Sequence, residues 1–277
     1  MKIGVTGSSG FIGSYLLKRF NSIPIPRTYS KEQIAKLLER EGINLVVNLA
    51  GKSIFGRWNS RFRREILSSR LQTTQKIVWA VDRVEEVKMF ISVSGTAIYP
   101  ENRECGEECG EMGKGFLADV VKEWEKTALQ AQKPTAILRL GVVLGQSGGF
   151  LERINRGVKL GVVPIIGDGN NFISYIHIEE VARVIQFLFE DGEIGVFNLT
   201  TPNPVQFSKI LTTIEQVTGR RFWTPKIPPS IARFLLGKVV DEVFISSQKV
   251  YPHRLLDNGY RFQYPTIESV ISSLYKY

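Results

Sequence analysis

The stretch Gly7-Ser8-Ser9-Gly10-Phe11-Ile12-Gly13, close to the start of the chain, decides the predicted fold. It lies between residues 2–6, a short β-rich run, and Phe11–Phe20, which has the pattern of a helix. In this context the first glycine permits a tight turn, the second lets backbone N–H groups approach a pyrophosphate, and the third lets the helix pack on the strand. The helix N-terminus adds partial positive charge. We therefore predict a dinucleotide-binding loop, the alternative being an ordinary glycine-rich turn.

Strand and helix patterns continue to alternate along the chain. Further strands are predicted at 23–27, 43–49, 88–94, 135–144 and 195–199. Helices are predicted at 31–41, 67–81, 117–128, 179–189 and 207–217, and residues 230–277 are predicted to be mostly helical. The alternation predicts an α/β fold, a Rossmann-type doubly wound parallel sheet with helices on both faces, plus a smaller, mostly helical C-terminal substrate lobe. Ligands are then expected at the carboxyl ends of the strands.

Composition excludes several classes of protein. The 277 residues are 43% hydrophobic and 23% charged, and no apolar run approaches the roughly 18 residues that span a bilayer. The start of the chain lacks the apolar stretch of a signal peptide, so a cytoplasmic location is expected. The net charge of +9 suits a phosphorylated ligand, but no nucleic-acid motif accompanies the densest basic cluster, residues 57–70. We expect a small-molecule substrate and neither a nucleic-acid nor a membrane partner.

The choice between two nicotinamide cofactors depends on Arg27. Dinucleotide sites usually place an acid about 20 residues after the glycine motif begins, to hold the ribose 2′-hydroxyl. This chain has no acid before Glu32, and Arg27 stands at the end of the predicted second strand. A guanidinium binds a 2′-phosphate through two donors, whereas a carboxylate would repel it. The sequence therefore favours NADP(H), with NAD(H) as the alternative.

Several segments beyond the glycine loop carry a family resemblance: residues 47–51, 57–59, 69–71, 73–74, 139–145, 175–178, 202–204, 248–252 and 259–262. Together they resemble an atypical branch of the extended short-chain dehydrogenase/reductase superfamily, the epimerase family of NAD(P)-dependent epimerase/dehydratase-like proteins. The last two segments resemble its C-terminal domain of unknown function. The resemblance implies an NAD(P)-binding Rossmann domain over 1–226, with part of the substrate lobe from about residue 145, and a C-terminal domain over 227–277 that completes the lobe.

The resemblance also implies which residues contact NADP. Outside the glycine loop these are Arg27, Leu49, Ala50, Gly51, Glu65, Arg70 and Val143. One departure concerns this region, because fuller members have a further strand and helix between the first helix and the Asn48-Leu49-Ala50-Gly51 turn. We predict that one β-α unit is deleted here, next to the adenine pocket.

A second departure concerns catalysis. Reductases and epimerases of the superfamily use a Tyr-x-x-x-Lys pair on one helical face, together with a Ser or Thr. The corresponding helix has Ala118 four residues before Lys122 and contains no tyrosine. Candidate substitutes follow the fifth strand of the family: Ser94 or Thr96 to polarise a carbonyl, and Tyr99 to donate a proton. A packed loop tyrosine is the alternative for Tyr99.

Three functions remain open. The first is an NADP-dependent oxidoreductase acting on a small carbonyl or hydroxyl compound, and the second is a nucleotide-sugar epimerase or dehydratase. The third is a non-catalytic NADP(H)-binding or redox-sensing protein. No metal site is predicted, because Cys105 and Cys109 lack the spacing and the further ligands of a zinc site; free thiols are expected instead.

Overall fold

The computed structural model describes residues 1–275. The helices are α1 (Phe11–Phe20), α2 (Lys31–Glu41), α3 (Ser60–Val81), α4 (Phe116–Ala128), α5 (Gly149–Leu160), α6 (Ile178–Asp191), α7 (Phe207–Thr218), α8 (Pro229–Leu236), α9 (His253–Asp257) and α10 (Ile267–Tyr275). The strands are β1 (Ile3–Thr6), β2 (Ile23–Pro24), β3 (Leu45–Asn48), β4 (Met89–Gly95), β5 (Glu104–Cys105), β6 (Thr135–Leu140), β7 (Val142–Leu144), β8 (Ile165–Ile166), β9 (Phe172–Ile173), β10 (Tyr175–His177), β11 (Gly195–Leu199), β12 (Val205–Gln206), β13 (Lys226–Ile227) and β14 (Lys249–Val250). A 3₁₀ turn spans Thr96–Ile98 and a π-helical turn spans Val240–Phe244.

Six strands form one parallel sheet in the order β11-β6-β4-β3-β1-β2. The direction of winding reverses between β1 and β3, which is where doubly wound sheets bind their ligands. In the full arrangement two strands lie beyond the first on this side of the sheet, whereas here only β2 does. The predicted fold class is therefore confirmed, and the expected loss of one β-α unit is observed at the β2 edge.

Helices cover both faces of this sheet. On one face Leu45 and Val47 pack in a core that includes Leu16 of α1 and Val181 of α6. On the other face Val46 packs in a core formed with α2, α3 and α4. Because neighbouring residues of a strand point to opposite faces, a strand covered on both sides needs the continuous apolar run that β3 has.

The predicted strand 135–144 is interrupted in the structure. Residues up to Leu140 stay in the main sheet, whereas β7 pairs with β10 in a separate two-stranded sheet. Gly141 makes the break possible, because a Cβ there would lie 2.5 Å from the carbonyl oxygen of Ser174. The amide of Val142 donates to that same oxygen. This divergence opens a cleft beyond the ends of β4 and β6.

The C-terminal segment, predicted to be mostly helical, is mixed. It contains α8, the π-helical turn, α9 and α10, but also β14, which pairs with β5. Ile267, Val270, Ile271 and Leu274 of α10 are buried in a core shared with α7. No helix among residues 1–275 is long and apolar enough to cross a membrane.

Candidate cofactor and substrate site

The glycine loop has the close backbone contacts that its sequence predicts. Gly7 has a φ of +66°, and a Cβ there would lie 2.8 Å from the carbonyl oxygen of Leu49. A Cβ at Gly13 would lie only 2.2 Å from the carbonyl oxygen of Gly7. Gly10 precedes α1, and its own amide donates to Gly7 at 2.9 Å. A side chain at Gly7 would displace the loop from the end of β3, and one at Gly13 would force α1 away from the loop.

The N-terminus of α1 is left open toward a ligand. No side chain caps it and no acid lies in its first turn, whereas Ser30 caps α2 in a capping box and Asn59 caps α3. The first amides of a helix have no partners inside it, so they need an external acceptor. An anion at this position would fill that role.

A buried neutral network holds the ends of the strands beside this loop. Thr6 Oγ1 donates to Asn48 Oδ1 at 2.7 Å, and Asn48 Nδ2 donates to Thr74 at 2.8 Å and to Ser92 at 3.2 Å. The amide of Leu49 donates to Thr6 Oγ1 at 3.1 Å. The network joins β1, β3, β4 and α3, and so fixes Leu49 and Ala50 against the glycine loop.

Arg70 is a partly buried cation next to this turn, and its guanidinium lies over the Trp124 ring, 5.1 Å from the centroid. Its Nη1 donates to the carbonyl oxygens of Lys52 and Ile66, each at 3.0 Å, and among the described residues it has no carboxylate partner. A Cβ on Gly51 would lie 3.0 Å from the guanidinium carbon, so glycine makes room for this side chain. Burial lowers the pKa of Arg70 to about 10, so the charge remains at neutral pH. A partly buried charge without an acidic partner fits an anionic ligand.

Arg27 shares a small depression with a second basic side chain, that of Lys76. Exposed Arg27 and partly buried Lys76 both line it, with Thr6, Gly7 and Ala50. Lys76 Nζ donates to the carbonyl oxygen of Tyr29 at 3.2 Å, and neither cation forms an ion pair with a described residue. Sequence reasoning missed Lys76. Its position six residues after Arg70, on the cofactor-facing helix, was the available signal.

Val143 and Glu65, which were also expected to contact the cofactor, have different surroundings. Val143 lines the large cleft described below. Glu65 is more exposed and is paired with Lys52 and Arg61, whose hydrogen bonds lower the pKa of its carboxyl group. Its carboxylate is therefore already occupied by two cations, and its contact with a cofactor stays a prediction.

The large cleft lies at the carboxyl ends of β4 and β6, beside the start of β7, and has a volume of about 400 Å³. Phe11 connects it to the glycine loop, because this residue begins α1 and also lines the cleft. Its ring packs against Gly145, Gly148 and Gly149, where a Cβ would lie within 3.0 Å of a ring atom. The volume falls within the range of roughly 300–1,000 Å³ that is usual for small-molecule sites.

Two of the three predicted catalytic hydroxyls have partners inside the protein. Ser94 Oγ donates to Glu125 Oε1 at 2.7 Å. Tyr99 accepts a hydrogen bond from Arg139 Nη1 and donates one to Asn198 Oδ1, both at 2.8 Å. The Tyr99 side chain is 2% exposed, and burial raises its pKa, which Arg139 offsets only in part. These contacts are those of a packed tyrosine, the alternative given above. Tyr99 also lines the large cleft, and its role as a proton donor stays a prediction.

A buried ion pair joins these hydroxyls. Arg139 donates to both oxygens of Glu125, at 2.9 and 2.8 Å. Burial lowers the pKa of Arg139, but its hydrogen bonds and charge interaction with Glu125 exceed that effect and raise it overall. Such a bidentate pair is among the strongest protein hydrogen bonds. The sequence did not indicate it, because the two residues lie on different elements.

Thr96 differs from the other two hydroxyl residues. It begins the 3₁₀ turn, lines the cleft, and its hydroxyl makes no hydrogen bond to any described residue. Ala118 lines the same cleft where the superfamily has its tyrosine. The Lys122 ammonium donates to the carbonyl oxygen of Gly113 at 3.0 Å. The structure therefore brings Thr96 to the cleft and leaves the Tyr-x-x-x-Lys position without a proton donor.

His177 is held in a structural role. Its Nδ1 accepts from the amide of Glu179 and so caps α6, while its Nε2 lies 3.1 Å from Ser273 Oγ. Burial lowers its pKa to about 4. The ring is therefore neutral at physiological pH.

The expected free thiols are not found, because Cys105 and Cys109 form a disulfide across a turn with Cα atoms 5.3 Å apart. In that turn the Glu107 carboxylate accepts from the amides of Asn198 and Arg254. Glu107, Glu108 and His253 have potential metal-ligand atoms within 4.8 Å of one another. The Glu107 carboxylate thus already joins the turn to β11, and we assign no metal site to the cluster.

Comparison with known proteins gives the following relatives. The sequence model described as NAD dependent epimerase/dehydratase family matches residues 3–199, and that described as Domain of unknown function (DUF1731) matches residues 227–274. The chain is 32% identical to Epimerase family protein SDR39U1 homolog, chloroplastic, of Arabidopsis thaliana, over 99% of this chain and 86% of that protein. It is 30% identical to Epimerase family protein YfhF of Bacillus subtilis, over 99% and 98% respectively.

Two solved structures are also similar to this chain. Human epimerase family protein SDR39U1 (isoform2), crystallised with NADPH, matches with a TM-score of 0.88 at 28% identity and covers 99% of both chains. UDP-glucuronic acid 4-epimerase from Bacillus cereus, in complex with NAD, matches with a TM-score of 0.78 at 18% identity. The second match indicates a shared fold only.

Proposed function

Since this chain belongs to the NAD dependent epimerase/dehydratase family, we propose that it binds NADP(H) and acts as an oxidoreductase on a small carbonyl or hydroxyl compound. The observation that carries the proposal is the junction at Phe11, where an open helix N-terminus suited to a pyrophosphate meets an apolar cleft suited to a substrate. A human relative was crystallised with NADPH, which supports the choice of cofactor.

The cofactor residues follow from the charges around the glycine loop. We propose that the residues of the loop (Gly7, Ser8, Ser9, Gly10, Phe11, Ile12 and Gly13) hold the pyrophosphate, with the partly buried Arg70 as a nearby cation. Arg27 and Lys76 would bind the 2′-phosphate, because both cations line one depression and neither forms an ion pair with a described residue. Leu49, Ala50, Gly51 and Val143 would line the cofactor site, and Glu65 would act there only indirectly, through Lys52.

Thr96 is the residue that we propose contacts the reacting carbonyl. NADPH, when bound, supplies a hydride. The Thr96 hydroxyl would donate a hydrogen bond to the carbonyl oxygen, where negative charge develops, and it is available because it bonds to no residue that the structure describes. Ser94 and Tyr99 become positioning residues, since their contacts hold the end of β4 and the turn that carries Thr96.

Three variants test these roles. Removing one such donor typically costs about a hundredfold in kcat, so Thr96→Ala should lose about that much while NADPH affinity stays within a few-fold. Thr96→Ser keeps the hydroxyl and should retain most of the rate. Tyr99→Phe removes two hydrogen bonds and should lower the free energy of unfolding by about 1–3 kcal/mol, with a smaller effect on kcat than Thr96→Ala. A larger rate loss in Tyr99→Phe would restore Tyr99 as the proton donor.

A second candidate function is non-catalytic NADP(H) binding, for example in redox sensing. It is favoured by the same buried network, which uses the hydroxyls of Ser94 and Tyr99, and by Ala118 in place of a tyrosine. NADPH binding without consumption across a panel of aldehydes and ketones would support it. An epimerase or dehydratase is disfavoured by the missing Tyr-x-x-x-Lys pair, and purification with tightly held nicotinamide would be its sign.

A further inference from the structure

The large cleft has a strongly aromatic lining. Phe55, Phe150, Phe172 and Phe244 come from four separate segments of the chain, and all four line it. The rings of Phe55 and Phe244 meet edge to face, with centroids 6.3 Å apart. Phenylalanine offers no hydrogen bond, so a ligand here gains affinity by burying apolar area and by ring contacts.

The polar groups of the lining are largely used within the protein. Both carboxylate oxygens of Glu242 accept backbone amides at the start of α4, from Phe116 at 3.1 Å and Leu117 at 2.7 Å. Ser174 Oγ donates to the carbonyl oxygen of Gln248 and accepts from the amide of Val250. A substrate with many hydroxyl groups would leave several of them unpaired in this cleft, and each unpaired group costs free energy.

The charges of the lining also disfavour a diphosphate. Among the described residues, Lys114 is the only cation that lines the cleft, and it forms no ion pair. Two carboxylates, Glu101 and Glu242, line the same space. Arg153 stacks on the Phe55 ring at 4.0 Å but is not part of the lining. A nucleotide sugar would bring two negative charges to a cleft in which the described residues supply one cation, whereas a single carboxylate can pair with Lys114.

We infer that the cleft binds a hydrophobic aromatic carbonyl compound with a single carboxylate, which pairs with Lys114, and that it does not bind a nucleotide sugar. The inference rests on the proposed function and names its substrate class. In the reduction, the carbonyl carbon gains a hydride from NADPH, the C–O π bond breaks, and the oxygen takes a proton from water. The products are the alcohol, NADP⁺ and hydroxide, which the buffer neutralises.

Calorimetric titration of the full chain saturated with NADP⁺ tests binding without turnover. The probes are a formylnaphthoic acid, the uncharged naphthaldehyde and UDP-glucose. We expect the acid to bind about threefold to fivefold more tightly than naphthaldehyde, as an exposed ion pair allows, and UDP-glucose to bind more weakly than either. Lys114→Met should remove the preference for the acid, whereas Lys126→Met, an exposed lysine of the same region outside the cleft, should leave it unchanged.

Aromatic contacts are tested with Phe244→Ser and, in a separate loop, Phe55→Ser. Each should weaken both naphthalene probes about tenfold, and urea unfolding checks that each variant folds. Tighter binding of UDP-glucose, or an unchanged acid preference in Lys114→Met, would overturn the inference. Failure of NADP⁺ and NADPH themselves to bind would instead overturn the proposed function.

Discussion

The carboxyl edge of the sheet carries two polar networks of opposite kinds. Beside the glycine loop, Thr6, Asn48 and Thr74 form a neutral network that fixes the backbone and leaves the start of α1 and the Arg70 charge available. Beside the cleft, Glu125 and Arg139 form a charged network that takes up the hydroxyls of Ser94 and Tyr99. The first region is built to receive a ligand. The second uses the hydroxyls of Ser94 and Tyr99 within the protein, whereas the Thr96 hydroxyl lies at the cleft without a hydrogen bond to any described residue.

The largest expected effect comes from breaking the charged network. Arg139→Met would leave the Glu125 carboxylate buried and unpaired, which should lower the free energy of unfolding by about 3–5 kcal/mol in urea titrations. NADPH affinity should change little, because the neutral network is separate. Arg156→Met, which removes an exposed ion pair of α5, is the matched control and should leave stability unchanged. A loss as small as that of the control would contradict the buried-pair account.

A smaller effect is expected from pH, at a residue outside both networks. The pKa of His177 is about 4 in the folded protein and about 6.5 in the unfolded chain, so below pH 6.5 the unfolded state binds the extra proton. Stability should therefore fall as the pH drops from 6.5 to 4, by about 3 kcal/mol in total from this group.

His177→Asn keeps a cap for α6 but removes the titration, so the stability of wild type relative to the variant should fall by about 3 kcal/mol as the pH drops from 6.5 to 4. Denaturant unfolding at a series of pH values measures that difference. Neither protein should show a change in NADPH affinity that follows this ionisation. If the wild-type and variant stabilities decline in parallel, the neutral buried histidine is refuted.

Next in size is the effect of a negative charge placed at the glycine loop, beside the start of α1. Gly10→Asp would set a carboxylate against the pyrophosphate and should weaken NADPH binding roughly a hundredfold or more, while the fold is kept. Gly110→Asp adds the same charge at an exposed glycine with open space around it and should leave the affinity unchanged. Equal affinities of the two variants, measured by calorimetry, would remove the cofactor from the glycine loop.

Much of this organisation could be predicted from local sequence. The glycine spacing and the apolar run of β3 are local signals, and they led correctly to the sheet and to its carboxyl edge. The break at Gly141 could not be predicted, because it depends on the approach of Ser174, far along the chain. The same holds for Tyr99: its distance from Asn198 and Arg139 is set by tertiary packing, so a buried structural tyrosine and a catalytic one look alike in sequence. Lys76 was not predicted, because it shares the depression with Arg27 only through the packing of α3 beside the turn that follows β2.

We propose that the glycine loop and the start of α1 bind NADP(H) and that Arg27 and Lys76 distinguish its 2′-phosphate. The most direct measurement is the ratio of NADPH to NADH affinity, determined by calorimetry for wild type, Arg27→Ala and Lys76→Met. We predict that wild type prefers NADPH and that Arg27→Ala reduces the ratio by about tenfold to a hundredfold, the range expected for a lost hydrogen bond to a charged phosphate. Lys76→Met should reduce it in the same direction and leave NADH affinity unchanged. A wild type that prefers NADH, or a ratio that neither substitution alters, would contradict the account.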